Sequence, residues 1–335
     1  MKRTIALMPA RTFAPILLAT LSSVAALLAG IAVQAQDYPN RAIRIIVPSV
    51  PGGVVDFTSR VLAPKLSELW RQPVVVENRA GGNGIIGMES ASKAAPDGYT
   101  LMMGIGSDFS ITPHFYAKFP LDPLTAFAPI LLVSDNPLLF AANAGAPFSN
   151  TREMIAYAKS QPGGLSFSSP GAGSHNHLLG ERFALETGIK MVHVPYKGGG
   201  PAGAAIITGE VLVGILAAPS AVPHIKSGRI KAIAVTMARR IPVGPDWPTL
   251  SESGIPGFDA SNWVALTAPA GTPREIVARI NADTNQALKM ADVRERMSAS
   301  GSEIIGSTAE AAGNRMREDS ERYRRLVKQL NLRFD

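Results

Sequence analysis

Residues 43–69 constrain the fold more than any other stretch. Ile43 to Val47 is a short apolar run that reads as a buried strand, and a run with apolar residues at Val61, Leu62, Leu66 and Leu69 reads as a helix. Between them lies Pro48-Ser49-Val50-Pro51-Gly52-Gly53-Val54-Val55-Asp56, with two prolines and a glycine pair. A strand that turns this tightly into a helix aims free backbone N–H groups and the positive end of a helix dipole at one small volume. An anion, most simply a carboxylate, can sit there without any charged side chain. The corner is also compatible with an ordinary tight turn. Asp56, in the first turn of the helix, reads as an acid that bonds N–H groups and holds the loop, in preference to a general base.

The pattern continues along the chain. Val74-Val75-Val76 is a strand, and Glu77-Asn78-Arg79-Ala80-Gly81-Gly82-Asn83-Gly84 is a glycine-rich loop leading to a helix over about 85–94. A third strand, residues 101–105, ends in Gly106-Ser107-Asp108, and two apolar strands near 130–142 are split by Asp135-Asn136-Pro137. Ser166-Phe167-Ser168 runs through Ser169-Pro170-Gly171-Ala172-Gly173-Ser174-His175 into a helix over 178–186, which repeats the opening corner. Residues 191–194 are a strand followed by Pro195-Tyr196-Lys197-Gly198, and residues 211–216 one ending in Ala217-Ala218. Further strands are expected at 230–235 and 262–268. Pro64 should kink or break the first helix. Asn150 with Glu153, Thr272 with Glu275 and Ser307 with Glu310 read as helix caps. Strand and helix alternate throughout, which predicts mostly parallel sheets with right-handed crossovers. Two such halves, each with a glycine-bearing corner, predict an α/β, two-lobed fold of the type II periplasmic-binding-protein kind with a central ligand cleft closed by hinge motion. The boundaries read are a signal peptide at 1–35, one lobe at 36–137 plus 263–335, and the other at 138–262.

The 335 residues, 46% hydrophobic and 18% charged, are enough for two lobes with a sizeable core. Lys2, Arg3 and Arg11 precede an apolar stretch from Ile16 to Val33, and Val33-Gln34-Ala35 is a small-residue cleavage pattern. Cleavage after Ala35 and a periplasmic, soluble mature chain are therefore expected. The alternative is an uncleaved anchor, since the run approaches the ~20 residues that span a bilayer. Beyond the leader the chain carries 30 basic and 26 acidic residues with no basic block, so no nucleic-acid footprint is present. With no cysteine, disulfides, thiolate metal sites and a cysteine nucleophile are excluded.

Enzyme signatures are sparse. Neither Gly-Lys-Ser/Thr nor Gly-x-Ser-x-Gly occurs. Gly82-x-Gly84-x-x-Gly87, with Asp108 about 20 residues on, matches a dinucleotide fingerprint, but five residues separate it from the strand where the fingerprint wants none. A dinucleotide-dependent oxidoreductase is thus the enzymatic alternative. Gly198-x-Gly200-x-x-Gly203 matches as well, with no acid at the right place. His175 and His177 flank Asn176 at a helix start without further ligands at chelating spacing, so one is expected to pack and the other to face the cleft, and no metal or cofactor is expected. His193 reads as a core histidine.

The chain resembles the periplasmic solute-binding proteins of tripartite tricarboxylate transporters, the Bug (Bordetella uptake gene) family. The motifs are Tyr38-Pro39 with 43–48, Pro51-Gly52-Gly53 with Asp56 and Arg60, Gln72-Pro73-Val74-Val75-Val76-Glu77-Asn78-Arg79, Ala95-Pro96-Asp97-Gly98-Tyr99-Thr100, His193-Val194-Pro195-Tyr196-Lys197-Gly198, Pro223-His224-Ile225-Lys226-Ser227-Gly228 and Ala268-Pro269-Ala270-Gly271-Thr272-Pro273. The resemblance implies a non-enzymatic receptor that clamps a small carboxylate, such as a dicarboxylate, amino acid or aromatic acid, and delivers it to membrane permease subunits. An extracytoplasmic sensor feeding a receptor kinase is the alternative use of the same fold. The resemblance also implies that backbone N–H groups and ordered waters hold the carboxylate, at Val50, Gly52, Gly53, Val54 and Val55 on one side and Ser169, Gly171, Ala172, Gly173, Ser174 and His175 on the other. Ser107, Asp108, Tyr196, Lys197, Gly198, Ala217 and Ala218 would complete the wall. The chain departs from the family where an aromatic is usual at Ser49, where small or hydroxyl residues are usual at Val54 and Val55, and where an Asp is often found near Leu216-Ala217. The apolar strand end points away from an amino-acid ligand and toward one with an apolar or aromatic body.

Overall fold

The computed structural model describes residues 38–332. The expected signal peptide and its cleavage near Ala35 lie outside the described residues. A single unit from Arg41 to Asp335 carries two sheets. The strands are β1 (Ile43–Val47), β2 (Val74–Asn78), β3 (Thr100–Ile105), β4 (Phe127–Asp135), β5 (Leu138–Asn143), β6 (Leu165–Ser169), β7 (Met191–Pro195), β8 (Val213–Ala217), β9 (Ile230–Val235), β10 (Val264–Pro269) and β11 (Glu303–Ile304). Helices of eight or more residues are α1 (Val54–Trp70), α2 (Ile85–Ser92), α3 (Thr151–Ser160), α4 (His175–Thr187), α5 (Gly199–Thr208), α6 (Ala218–Lys226), α7 (Arg274–Leu288), α8 (Ala291–Ser300) and α9 (Ala309–Gln329). Among the described residues no helix is long and apolar enough to cross a membrane.

One sheet runs β11-β4-β10-β3-β1-β2 and the other β7-β6-β8-β5-β9. Both are mixed, which corrects the expectation of mostly parallel sheets. Within each half, strands joined by a helix pair in parallel: β1 with β2 and β3, β6 with β7 and β8. The antiparallel pairs involve strands that cross between halves. β10 returns from the second half and inserts between β3 and β4, and β5 opens the second sheet between β8 and β9. A strand that arrives from the other sheet has no crossover helix, so nothing forces a parallel neighbour.

The two crossings run side by side. Asn136 is fully buried and has four bonded groups there: its carbonyl accepts the Asn262 N–H at 2.9 Å, its side-chain amide donates to Asn262 O at 3.0 Å, and its side-chain oxygen accepts Ser302 Oγ at 2.7 Å, while its own N–H donates to Asp135. Pro137 bridges Ser261 in an antiparallel step and accepts the Ala218 N–H at 2.8 Å. A buried amide satisfied on all sides fixes geometry, because any rearrangement strands polar groups at about 1–3 kcal/mol each.

Local rules explain most elements and correct others. α1 runs unbroken through Pro64. Both Pro64 and Arg60, whose carbonyl the proline leaves unpaired, face solvent, where water serves that carbonyl. Asn150 caps α3 as expected, accepting the Glu153 N–H at 2.9 Å, and Glu153 bonds the Ser149 N–H in return. Thr308, not Ser307, caps α9; Ser307 instead accepts the Leu132 N–H from β4. α7 begins at Arg274 without a side-chain cap, because the Thr272 hydroxyl donates back to Pro269 O.

Each sheet has its own core. In the first, Trp263 stacks on Phe109 at 5.8 Å and donates its indole N–H to Asp319 on α9. In the second, α5 and α6 cover Leu139, Leu216 and Val235. A further cluster joins Leu178 of α4 to Tyr323 and Val327 of α9, so the C-terminal helix touches both halves.

Candidate functional site

The first corner is built by a closed set of polar contacts. Gly52 turns with φ +86, and its N–H donates to Asp56 Oδ2 at 3.0 Å. Arg60, one turn further along α1, donates to Asp56 Oδ1 at 2.9 Å. Asn78, at the end of β2, donates one amide hydrogen to Asp56 Oδ1 and the other to Ser49 O, both at 3.0 Å, and accepts from Arg60. Burial works to raise the Asp56 pKa, but the bonds from Arg60, Gly52 and Asn78 hold it below the usual carboxylate range. Asp56 is therefore a strut, as its position in the first turn predicts. With that strut engaged, α1 starts at Gly53 with no side-chain cap, and Val54 and Val55 present first-turn amides.

This corner opens on a cavity of about 510 Å³ between the two sheets. From the first half, Ser49, Val50, Gly53, Val54 and Val55 line it, together with the loop 80–84, Ser107 and Asp108, and Asn262 lines it from the crossing between the halves. From the second half come Pro170, Gly171 and Ser174, the run Tyr196-Lys197-Gly198-Gly199, and Ala217 with Ser220. The two glycine corners thus face one space. Two contacts span it at the rim: Val50 lies where a Cβ on Gly198 would stand, 2.5 Å from Val50 Cγ2, and the Asn83 side-chain amide donates to Ala172 O and, at 3.1 Å, to Tyr116.

Six of the expected site residues do not line the cavity. Gly52 is turned to solvent and spends its N–H on Asp56. Ser169 is buried, its hydroxyl donating to Gly171 O and meeting His193 Nε2 at 2.6 Å. Gly173 gives its N–H to His177 Nδ1 at 3.2 Å, and the Ala172 carbonyl is the one Asn83 uses. Ala218 is buried in the second core. His175 is buried against α9, with Nε2 3.0 Å from the Tyr323 hydroxyl; burial pushes its imidazole down to about 3, so it stays neutral. Neither histidine faces the cleft as expected: His177 stacks on His193 at 3.8 Å, behind the second corner.

The second corner also spends more of its amides than expected. Gly171, Gly173 and Ser174 all donate within the loop or to α4. The start of α5 offers a better counterpart to α1: Gly198 is its N-cap at φ +115, without a side-chain cap, and Gly198 and Gly199 line the cavity. Sequence reading placed Gly198 in the wall only as part of Tyr196-Lys197-Gly198, although its glycine triplet before an apolar run was the available signal.

The glycines of the dinucleotide fingerprint have another cause. Gly84 is left-handed at φ +92, and a Cβ on Gly87 would stand 2.7 Å from Arg79 O and from Pro48, so α2 packs on the first loop only through a glycine. Asn83 occupies the left-handed region at φ +53 within this turn and reaches across the rim. The loop 80–84 lines the cavity although the sequence reading did not include it in the site.

Asp108 is buried and lines the cavity. Its Oδ2 accepts the Ile105 N–H at 2.9 Å. Burial without a nearby cation pushes its carboxyl up to about 7, and the Ile105 bond pulls back only in part.

Comparison with known proteins agrees with this architecture. The family profile described as "Tripartite tricarboxylate transporter family receptor" matches residues 58–332. Protein BugT of Bordetella pertussis is 36% identical over 309 residues, covering 91% of this chain and 95% of that protein. Among solved structures, the periplasmic binding protein BugD superposes with a TM-score of 0.84 at 32% identity, over 88% of this chain and 99% of that one. R. palustris Rpa4515 with adipate gives 0.86 at 30%, over 89% and 99%. Proteins of this family are solute receptors and not enzymes, which removes the oxidoreductase alternative.

Proposed function

From the tripartite tricarboxylate transporter receptor family, to which this chain belongs, we propose that it captures a small organic carboxylate in the periplasm and delivers it to the membrane permease of such a transporter. The observation that carries this reading is that two helix starts without side-chain caps, at Gly53 and Gly198, open on one cavity between the sheets. Their first-turn amides attract a negative group and need no cationic partner. Ser49 lines the same end of the site, beside the start of α1. The relative that holds adipate has a similar fold and supports a carboxylate as the ligand class.

The lobes of the clamp are 36–137 with 263–335, and 138–262, turning on the paired crossings at Asn136–Pro137 and Ser261–Asn262. The contacts of Val50 with Gly198 and of Asn83 with Ala172 then belong to the closed clamp. Helix ends alone do not account for useful affinity. Each gives an anion at most ~2 kcal/mol, and micromolar binding needs ~8 kcal/mol. The remainder comes from hydrogen bonds, burial of the ligand body and closure. Val50, Val54, Val55 and Ala217 give the cavity apolar faces for that body.

A melting-shift screen of the mature chain against dicarboxylates, aromatic acids, hydroxy acids and amino acids tests the reading. At least one class should raise the melting temperature in a saturable way. Silence across all of them refutes it.

A further inference from the structure

We propose that the wall where β3 and β10 end side by side is a subsite for a hydrogen-bond donor on the ligand, so that Asp108 selects carboxylates that also carry a hydroxyl or ammonium group. This rests on the carboxylate reading above and adds to it which carboxylates are taken.

The placement follows from strand pairing. β10 runs antiparallel to β3 with Val264 opposite Ile105, and Gly106 donates its N–H to Trp263 O at 2.8 Å. The residues that follow β3 and precede β10 therefore emerge at the same edge of the sheet, and both Asp108 and Asn262 line the cavity there.

Asp108 has acceptor capacity that the fold does not use. Asp108 is 6% exposed and commits only Oδ2, to the Ile105 N–H. Its Oδ1 points toward Gly84, where an added Cβ would come within 3.1 Å of it, and the glycine keeps that edge clear. Asn262 packs beside it at 3% exposed, with its Oδ1 closed off inside the protein and its backbone bonded to Asn136 on both sides.

The Ile105 N–H needs an acceptor at Asp108 and no charge, and burying a carboxylate without a cation is costly. A buried polar atom left unpaired also calls for an explanation. An acid oxygen left without a partner on the wall of a ligand cavity is satisfied by a ligand donor. Lys197, the other charged side chain on the cavity, lies on the opposite half.

Isothermal titration at pH 8 with matched triads tests this: succinate, malate and aspartate; adipate, 2-hydroxyadipate and 2-aminoadipate; 3-phenylpropanoate, phenyllactate and phenylalanine. In the best-binding triad, a hydroxy or amino member should bind at least ten-fold tighter than the unsubstituted acid. Asp108→Leu should shrink that ratio to three-fold or less. Because the readout compares matched ligands on one protein, a general loss of stability does not imitate it, and the milder Asp108→Asn gives a second reading if Asp108→Leu fails to fold. Asp108→Asn separates the two donors: an ammonium ligand loses ten-fold or more, while a hydroxyl ligand changes less than three-fold. Unsubstituted acids binding as tightly as their substituted partners overturn the donor subsite and leave the carboxylate reading standing. No binding by any member overturns both.

Discussion

Replacing Asp108 by Asn in the ligand-free protein gives a stability change whose size and pH dependence follow from the geometry. Asn keeps an oxygen to accept the Ile105 N–H but cannot ionise. In the native chain the Asp108 carboxyl is raised by burial from 3.8 to about 7. As pH climbs past about 4 the unfolded chain releases this proton, whereas the folded chain holds it until pH approaches 7. The folded state therefore loses stability steadily across that interval and no further above it. At 1.36 kcal/mol per pKa unit the full loss is about 4 kcal/mol, an upper value for a single group. Asp108→Asn escapes this loss. It should match the parent near pH 4 and be more stable at pH 8 by up to about 4 kcal/mol, on the order of 10 °C in melting temperature for a chain of this size. Thermal or urea unfolding of both proteins at pH 4, 6 and 8 checks it. A difference between the two that is constant across that range, or that runs in the opposite direction, refutes the account of Asp108 as a buried, uncompensated acid.

Other positions give sharper or simpler outcomes. Gly53 has extended, unstrained dihedrals, and an added Cβ would meet only Val50 O and Ser49 Oγ, at 3.9 and 4.0 Å. Gly53→Leu should therefore fill the cavity, abolish ligand-induced stabilisation and leave the ligand-free melting temperature within about 2 °C, as calorimetry would show, since unstrained surface changes cost little. Gly198→Ala puts a methyl group against Val50 in a left-handed residue, so small-angle scattering of the ligand-mixed protein should show a larger radius than the parent, with weaker binding. Asn78→Ala removes the amide that ties Ser49 to Asp56 and should cost about 1–3 kcal/mol by urea unfolding as well as loosening ligand binding. Tyr323→Phe deprives the buried His175 of its hydroxyl partner and should destabilise the chain by about 1–2 kcal/mol without changing ligand preference, measured by the same two assays.

Much of the first corner was legible in the linear chain because its parts are close in sequence. A strand of nearly continuous apolar residues, a proline–glycine turn and an acid in the first turn of a helix each follow from local geometry. Asp56 and Gly52, four residues apart, bond each other as that pattern requires. The second corner was harder to read. Its glycines are visible, but whether an amide there is free depends on His177, on the Ser169 hydroxyl and on Asn83 from the other half, and none of those partners is fixed by spacing. His175 illustrates the same limit. Its place at a helix start suggested the cleft, and its neighbour turned out to be Tyr323, 148 residues away.

The amino-acid order by itself determined that strands and helices alternate, that glycine corners end two of the strands, and that the core is large enough for two sheets, because periodicity and turn chemistry act over a few residues. Tertiary structure alone decided that β10 and β5 run against their neighbours, that the start of α5 joins the start of α1 on one cavity, and that Asp108 and Asn262 share a wall. Those outcomes depend on which distant segments meet when the chain crosses between sheets, and burial, hydrogen bonding and charge at the site are set only once they have met.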